Sequence, residues 1–319
     1  MIKSATLPSS LCKGMLLTVL ICSAGFVAAQ QAPSQSQPQT KLKVDVKLVN
    51  VFVTVTDSRG APVGGLTKDN FVLQEDGLDQ KIAVFEKQSA LPLSIALAVD
   101  TSLSTRHDLP LEQTSAKRFA QDILRPVDAL SLFTFSEIVR QQLSFTPDLK
   151  RIDEAIDHIR GGSATAVYDA VYLVSRSLEH RDGRKVIVLI TDGGDTASKV
   201  DYQDALRAAQ EAEAIVYSII IVPIENSAGR ETGGEHALIQ LSNDTGGKYY
   251  YATSIQELDA AFHKISDELR TQYLLAYYPS QRTSWSEFRR ITVHLTGVPN
   301  AADYHARNRA GYYTVSSDF

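Results

Sequence analysis

Residues 186–191 read Val-Ile-Val-Leu-Ile-Thr, an almost purely aliphatic run. A strand of that composition has no polar face to turn to water, so both of its faces must be covered. Residues 93–99 and 215–222 are aliphatic in the same way, and 129–135 is a further apolar strand. Around them, apolar residues recur at helical spacing in 111–124, 148–159, 165–178, 202–214, 236–242 and 255–270, with short strands at 141–145 and 248–251. Strands that alternate with helices imply an α/β fold, a doubly wound, mostly parallel sheet flanked by helices. Thr146 is the expected cap of the helix at 148–159, with Pro147 at its first position.

The segments on either side of this region have a different period. Val51, Val53 and Val55 alternate with Phe52, Thr54 and Thr56, which gives a strand with one apolar face. Asp57-Ser58-Arg59-Gly60 is a turn, Gly64-Gly65 a break and 66–70 a single capped turn. Asp76-Gly77 turns the chain between strands at 71–75 and 81–87. On the far side, 273–278, 288–295 and 311–315 are strand-like, with loops at 279–286 and 299–309. Each flank alone is short of a sandwich, whereas together they supply roughly seven or eight strands, enough for one. The expected architecture is an α/β domain at 91–271 inserted in or flanked by a β-sandwich, whose parts are 42–90 and 272–319. Two small independent flanks are the alternative.

Residues 1–29 carry Lys3 and Lys13, no acids, an apolar run at 15–27 and the small residues Val27-Ala28-Ala29. This is the pattern of a signal peptide cleaved near Ala29. The run is shorter than the ~20 residues of a spanning helix. A start-anchored helix is the competing reading, and Ile21 before Cys22 is large for a lipidation signal. Residues 30–41, rich in Gln, Ser and Pro, read as a disordered linker. The expectation is a secreted or periplasmic protein with no membrane span after signal cleavage. Both cysteines, Cys12 and Cys22, lie in the signal, so the remainder has no disulfide, thiol nucleophile or cysteine metal ligand. Of 32 Lys and Arg, the 30 left without Lys3 and Lys13 face 37 acids, a net charge of −7. An acidic chain without basic runs is a poor partner for nucleic acid or anionic membranes.

Three segments bring oxygen-bearing side chains to one edge of the sheet. Strand 93–99 runs directly into Asp100-Thr101-Ser102-Leu103-Ser104, an acid and two hydroxyls spaced two residues apart. Strand 186–190 delivers Thr191-Asp192-Gly193-Gly194, and Gly161-Gly162-Ser163-Ala164-Thr165 precedes the helix with Tyr168-Asp169. The carboxyl ends of strands in such a sheet open into the crevice where α/β folds bind ligands. Ligands that are all oxygens suit a hard divalent cation such as Mg²⁺. Asp195-Thr196 reads as a loop and cap before the next helix, and Asp148 and Asp169 as acids at helix starts, where the dipole favours them. The sequence has no His-Glu-x-x-His pattern, no Gly-x-Ser-x-Gly elbow and no Walker A loop.

Asp100-x-Ser102-x-Ser104, Thr165 just before a helix and Asp192 in a Thr-Asp-Gly turn resemble the metal ion-dependent adhesion site of the von Willebrand factor type A (VWA) domain, over about residues 91–270. Leu66-Thr67-Lys68-Asp69-Asn70-Phe71, Glu75-Asp76-Gly77 and Arg309-Ala310-Gly311-Tyr312-Tyr313 in the flanks are similar to a group of secreted bacterial VWFA-related proteins. That group often has Gly-Gly-Thr directly, whereas Ser163-Ala164 intervenes here; counting back from Tyr168-Asp169 selects Thr165 and leaves Ser163 as the second candidate. The resemblance implies that Asp100, Ser102, Ser104, Thr165 and Asp192 hold Mg²⁺, or Mn²⁺ or Ca²⁺ in its place. Ser102 and Ser104 would contact the metal, Thr165 would do so directly or through water, and Asp100 and Asp192 would hold waters and the serine hydroxyls. The function implied is a non-enzymatic, metal-dependent adhesion or interaction module, whose cation captures an acidic side chain of a protein ligand. An envelope scaffold with a purely structural metal is the alternative. A metal-dependent hydrolase is a third reading, against which stands the lack of any apparent general base.

Overall fold

The computed structural model describes residues 48–87, 90–102, 109–192, 194–222, 232–281, 285–299 and 301–314. The expected signal peptide at 1–29, the linker at 30–41 and residues 42–47 of the N-terminal flank lie outside the described residues, as do Ser104, Gly193 and Val315. In chain order the strands and helices are β1 Val49–Thr56, β2 Phe71–Glu75, β3 Leu78–Gln80, β4 Ile82–Lys87, β5 Leu93–Asp100, α1 Leu109–Ile123, β6 Ala129–Phe135, β7 Val139–Thr146, α2 Leu149–Asp157, α3 Val167–Leu178, β8 Arg184–Thr191, α4 Tyr202–Glu211, β9 Ala214–Ile221, α5 Thr232–Asp244, β10 Tyr249–Ala252, α6 Ile255–Thr271, β11 Tyr273–Tyr277, β12 Phe288–Leu295, β13 His305–Arg307 and β14 Gly311–Tyr313.

The central sheet has the order β10-β9-β8-β5-β6-β7, with every neighbouring pair parallel except β6 and β7. All residues of β5, β6 and β9 are buried, as their mostly apolar composition leads one to expect. Alternate side chains of β5 enter two cores. Ile95, Leu97 and Val99 pack with Phe119 of α1, Ile152 of α2 and Phe262 of α6. Ala96 and Ala98 pack with Val167, Ala170, Val171 and Val174 of α3 and with apolar residues of α4 and α5. The α3 contacts recur at three and four residues, so one stripe of the helix meets the sheet. Asp128, just before β6, accepts from the Leu93 N–H at 2.8 Å and fixes where β5 begins.

The flanks form two antiparallel sheets of four strands, β13-β1-β11-β4 and β14-β12-β2-β3. Val51, Val53, Leu275 and Tyr277 of the first share a core with Leu73, Ile291 and Val293 of the second. Each sheet interleaves strands from both ends of the chain, with Val51 opposite Leu275 and Leu73 opposite Val293. The α/β fold with a β-sandwich of N- and C-terminal strands is therefore the architecture of the chain.

Several local expectations change. β3 and β13 occupy stretches read as part of a turn and a loop; with three residues each, neither has the length that shows a period. Asp148, not Thr146, caps α2, because its carboxylate accepts from the N–H groups of Lys150 (3.0 Å) and Arg151 (3.3 Å). Thr146 Oγ1 instead accepts from the Asp148 N–H at 3.2 Å. A carboxylate makes the same cap bond as a threonine and adds a favourable charge at the helix N-terminus. α5 extends beyond the expected 236–242 to Thr232–Asp244.

The α/β domain and the sandwich meet along α6. The buried Glu268 carboxylate accepts from the Tyr250 hydroxyl (3.1 Å) and from the Arg307 guanidinium of β13. Arg307 Nε also donates to the Gly246 carbonyl at 3.2 Å. Gly246 has φ +81°, and a Cβ there would stand 2.5 Å from the Arg309 backbone nitrogen, so only glycine lets these two backbones approach. Glu268→Ala leaves Arg307 facing a buried gap without its carboxylate. The expected loss is about 3–5 kcal/mol of unfolding free energy by urea denaturation, the cost of breaking a buried pair from one side.

Candidate functional site

The connections of the central sheet change direction at β5, which has β6 on one side and β8 on the other. A crevice opens at the carboxyl ends of such strands. Asp100, the last residue of β5, is fully buried there. Its Oδ2 accepts from the Thr191 hydroxyl at the end of β8 (2.6 Å), and its Oδ1 accepts from the Ser102 N–H (2.8 Å). Thr101 ties the same point to β6, because its N–H and its hydroxyl both donate to the Phe135 carbonyl, at 2.8 Å and 3.1 Å. Burial pushes the Asp100 carboxyl up to about 6. Hydrogen bonds from Thr191 and Ser102 act against this rise, and the neighbouring Asp192 carboxylate adds to it.

The loop at 161–165 closes on this point. The Gly162 N–H donates to the Thr101 carbonyl at 2.5 Å, and a Cβ at Gly162 would lie 2.3 Å from Ser136 Cβ. Any other residue would hold the loop away from the strand ends. Ser163 turns to Glu137, whose carboxylate accepts from its N–H (3.2 Å) and its hydroxyl (3.0 Å). The Glu137 N–H and the Ser163 groups hold that carboxyl down at about 2. Thr165 is buried, and its N–H donates to Thr196 Oγ1 at 3.0 Å. Asp192 follows β8, half-buried, with Oδ1 at 3.5 Å from the Gly194 nitrogen.

Asp100, Ser102 and Asp192 thus meet at one strand edge. Thr165 is joined to them through the Gly162–Thr101 bond on one side and through the segment after Asp192 on the other. Ser104 lies outside the described residues. Two carboxylates of like charge, one of them deeply buried, stand beside hydroxyls. This donor set fits a hard cation that keeps several waters, and the cation's charge would offset the mutual repulsion of the acids. Among the described residues no group of three or more His, Cys, Asp or Glu is arranged to hold a metal.

The sequence reading missed two contributors. Thr191 holds the Asp100 carboxylate, and the only sequence signal was a hydroxyl at the end of a strand next to an acid. Glu137 occupies Ser163, a pairing across 26 positions with no local signal. Asp195 does not cap the helix that follows it. Its carboxylate accepts from the Val167 N–H at the start of α3, at 2.8 Å. Asp169 stands in the first turn of α3, as expected, and its carboxylate also accepts from the backbone N–H groups of Lys199 and Val200.

Residues 94–264 match the model of the von Willebrand factor type A domain. Comparison with curated proteins gives no match. Among solved structures, the chain is similar to proximal thread matrix protein 1 from the mussel byssus, at 16% identity and a TM-score of 0.50, over 61% of this chain and 51% of that one. It is similar to a von Willebrand factor type A protein from Catenulispora acidiphila, at 11% identity and a TM-score of 0.49, over 77% and 70%. It is also similar to the conserved hypothetical protein BatB from Bacteroides thetaiotaomicron, at 20% identity and a TM-score of 0.46, over 56% and 100%. Likeness at these identities speaks to the fold alone.

The Asp100 value of about 6 stands above the ordinary 3.8, so without metal the folded chain binds this proton more tightly than the unfolded one. The stability it contributes is complete below about pH 4 and is lost as the pH rises through about 6. In urea denaturation with EDTA, the wild type is expected to lose on the order of 3 kcal/mol relative to Asp100→Asn between those limits. Parallel pH profiles for the two proteins would contradict this.

Proposed function

Because the chain belongs to the von Willebrand factor type A domain family, matched over residues 94–264, we propose that it is an exported, non-enzymatic binding module in which a divalent cation captures a carboxylate of a protein partner. The buried Asp100, held by Thr191 and Ser102 beside Asp192, is the observation that carries this reading. In it, Asp100, Ser102, Ser104, Thr165 and Asp192 hold Mg²⁺, with Mn²⁺ or Ca²⁺ as substitutes. Bound there, such a cation supplies an open coordination position for an anionic oxygen.

The protein's own contribution is to fix the donors in advance. The Thr191 hydroxyl holds the Asp100 carboxylate at the end of β8, and the Ser102 backbone turns back onto the same group. Gly162 lets the Thr165 loop approach within hydrogen-bond reach of Thr101. Export is supported by the sequence pattern of residues 1–29. No helix among the described residues is long and apolar enough to cross a membrane.

Mg²⁺ at about a hundred times its Kd is expected to stabilise the wild type by about 2.7 kcal/mol and to leave Asp100→Ala unchanged. Partner recovery from the native envelope is expected in Mg²⁺, and to be lost in EDTA or with Asp100→Ala. Wild-type metal affinity in Asp100→Ala would refute the site. Chelation that lowers the melting temperature while partner recovery persists would favour a scaffold with a structural metal.

A further inference from the structure

Two carboxylates cross between the start of α3 and the segment after Asp192. Asp195 Oδ1 accepts from the N–H groups of Val167 (2.8 Å) and Tyr168 (3.4 Å) and from the Ser198 hydroxyl (2.5 Å). The N-cap position of α3 is Ala166, which has no side-chain acceptor, so the helix receives its cap from another loop. In the opposite direction, Asp169 in the first turn of α3 accepts from the N–H groups of Lys199 (2.8 Å) and Val200 (3.0 Å). The Asp169 N–H donates to Ser198 Oγ at 3.1 Å. Thr196 closes the joint. Its hydroxyl accepts from the Thr165 N–H (3.0 Å), and the N–H groups of Thr196 and Ala197 donate to the Thr165 carbonyl (2.8 Å and 3.0 Å).

Bonds from backbone N–H groups to a carboxylate are charge-assisted and among the stronger ones available. Asp195 also sits where the helix dipole favours negative charge. At one side of the joint lies Thr165, whose own backbone takes part in it. At the other lies Asp192, three residues before Asp195. The spacing between these two cation-site candidates therefore passes through the crossed pair.

We propose that Asp195 and Asp169 are positioning residues of the cation site, setting Thr165 against Asp192 before a cation binds, with neither carboxylate touching it. This rests on the cation-dependent reading above. Supporting groups of this kind typically change metal affinity about 10–100-fold when removed.

The test is Mg²⁺ and Mn²⁺ titration calorimetry on the full chain, with thermal unfolding in EDTA measured alongside. Asp195→Ala and Asp169→Ala are each expected to weaken binding about 10–100-fold. Asp195→Asn and Asp169→Asn, which keep an acceptor oxygen toward the same N–H groups, are expected to restore most of it. Lower melting temperature with unchanged cation affinity in both alanine variants would make the carboxylates mere helix and loop caps and overturn the proposal. Should the alanine variants fail to fold, Thr196→Val and Ser198→Ala decide. Thr196→Val removes the Oγ1 bonds to the Thr165 backbone, and Ser198→Ala removes the Oγ bonds to Asp195 and to the Asp169 N–H; weakened binding supports the proposal and wild-type affinity overturns it. A wild type that binds neither cation defeats the cation reading and this inference together. Cation binding that all the variants retain defeats only this inference.

Discussion

The hydrogen bond from the Thr191 hydroxyl to the buried Asp100 carboxylate joins the ends of two neighbouring strands where the central sheet changes direction. A carboxyl group this deep is tolerated because donors reach both of its oxygens. Those donors do not restore its ordinary acidity, since burial and the Asp192 charge outweigh them. Everything else at this edge is arranged around that point. Thr101 ties it to β6, Gly162 brings in the Thr165 loop, and Ser102 turns back on it.

What the sequence could say about this region depended on how far apart the partners lie. β5, β8 and β9 were legible because a strand covered on both faces is predominantly apolar along its length, a property of single segments. Asp100, Ser102 and Asp192 were legible because they follow such strands directly. Counting back from Tyr168-Asp169 favours Thr165 over Ser163; in the structure the Ser163 hydroxyl is engaged by Glu137, and the Thr165 N–H is held by Thr196. The cap of α3 was not legible at all, because its acceptor Asp195 stands 28 positions from the N–H that it receives. Asp148 shows the limit at short range. Thr146 and Asp148 both suit a cap, and only the backbone path decides which carries it.

The contact between α6 and the sandwich includes a polar set, beside Phe52 of β1, which packs against the apolar cluster that α6 shares. Glu268 and Tyr250, both buried, and the half-buried Arg307 form a set whose disruption costs more than its presence gains, because burying charge offsets most of the attraction. Such a set adds little net stability but accepts only one arrangement of its members. It fixes how β13 sits against the helix, together with the glycine at 246, which admits the Arg309 backbone. Gln272, between α6 and β11, adds a bond to Thr54 at 3.2 Å on the first strand of the sandwich.

The interleaving of both chain ends in each sandwich sheet has a consequence for the order of folding. β1 and β4 have their shared neighbour, β11, on the far side of the whole α/β domain, so they cannot pair with it as they emerge. Closing so long a loop in an unfolded chain is entropically unfavourable and slow. Once the α/β domain has folded, the two points where the chain enters and leaves it lie side by side, with Lys87 opposite Tyr273. The sandwich then closes by a local step. The inserted domain acts as its clasp, and until that domain forms, the first strands of the chain remain open edges exposed to pairing with other chains.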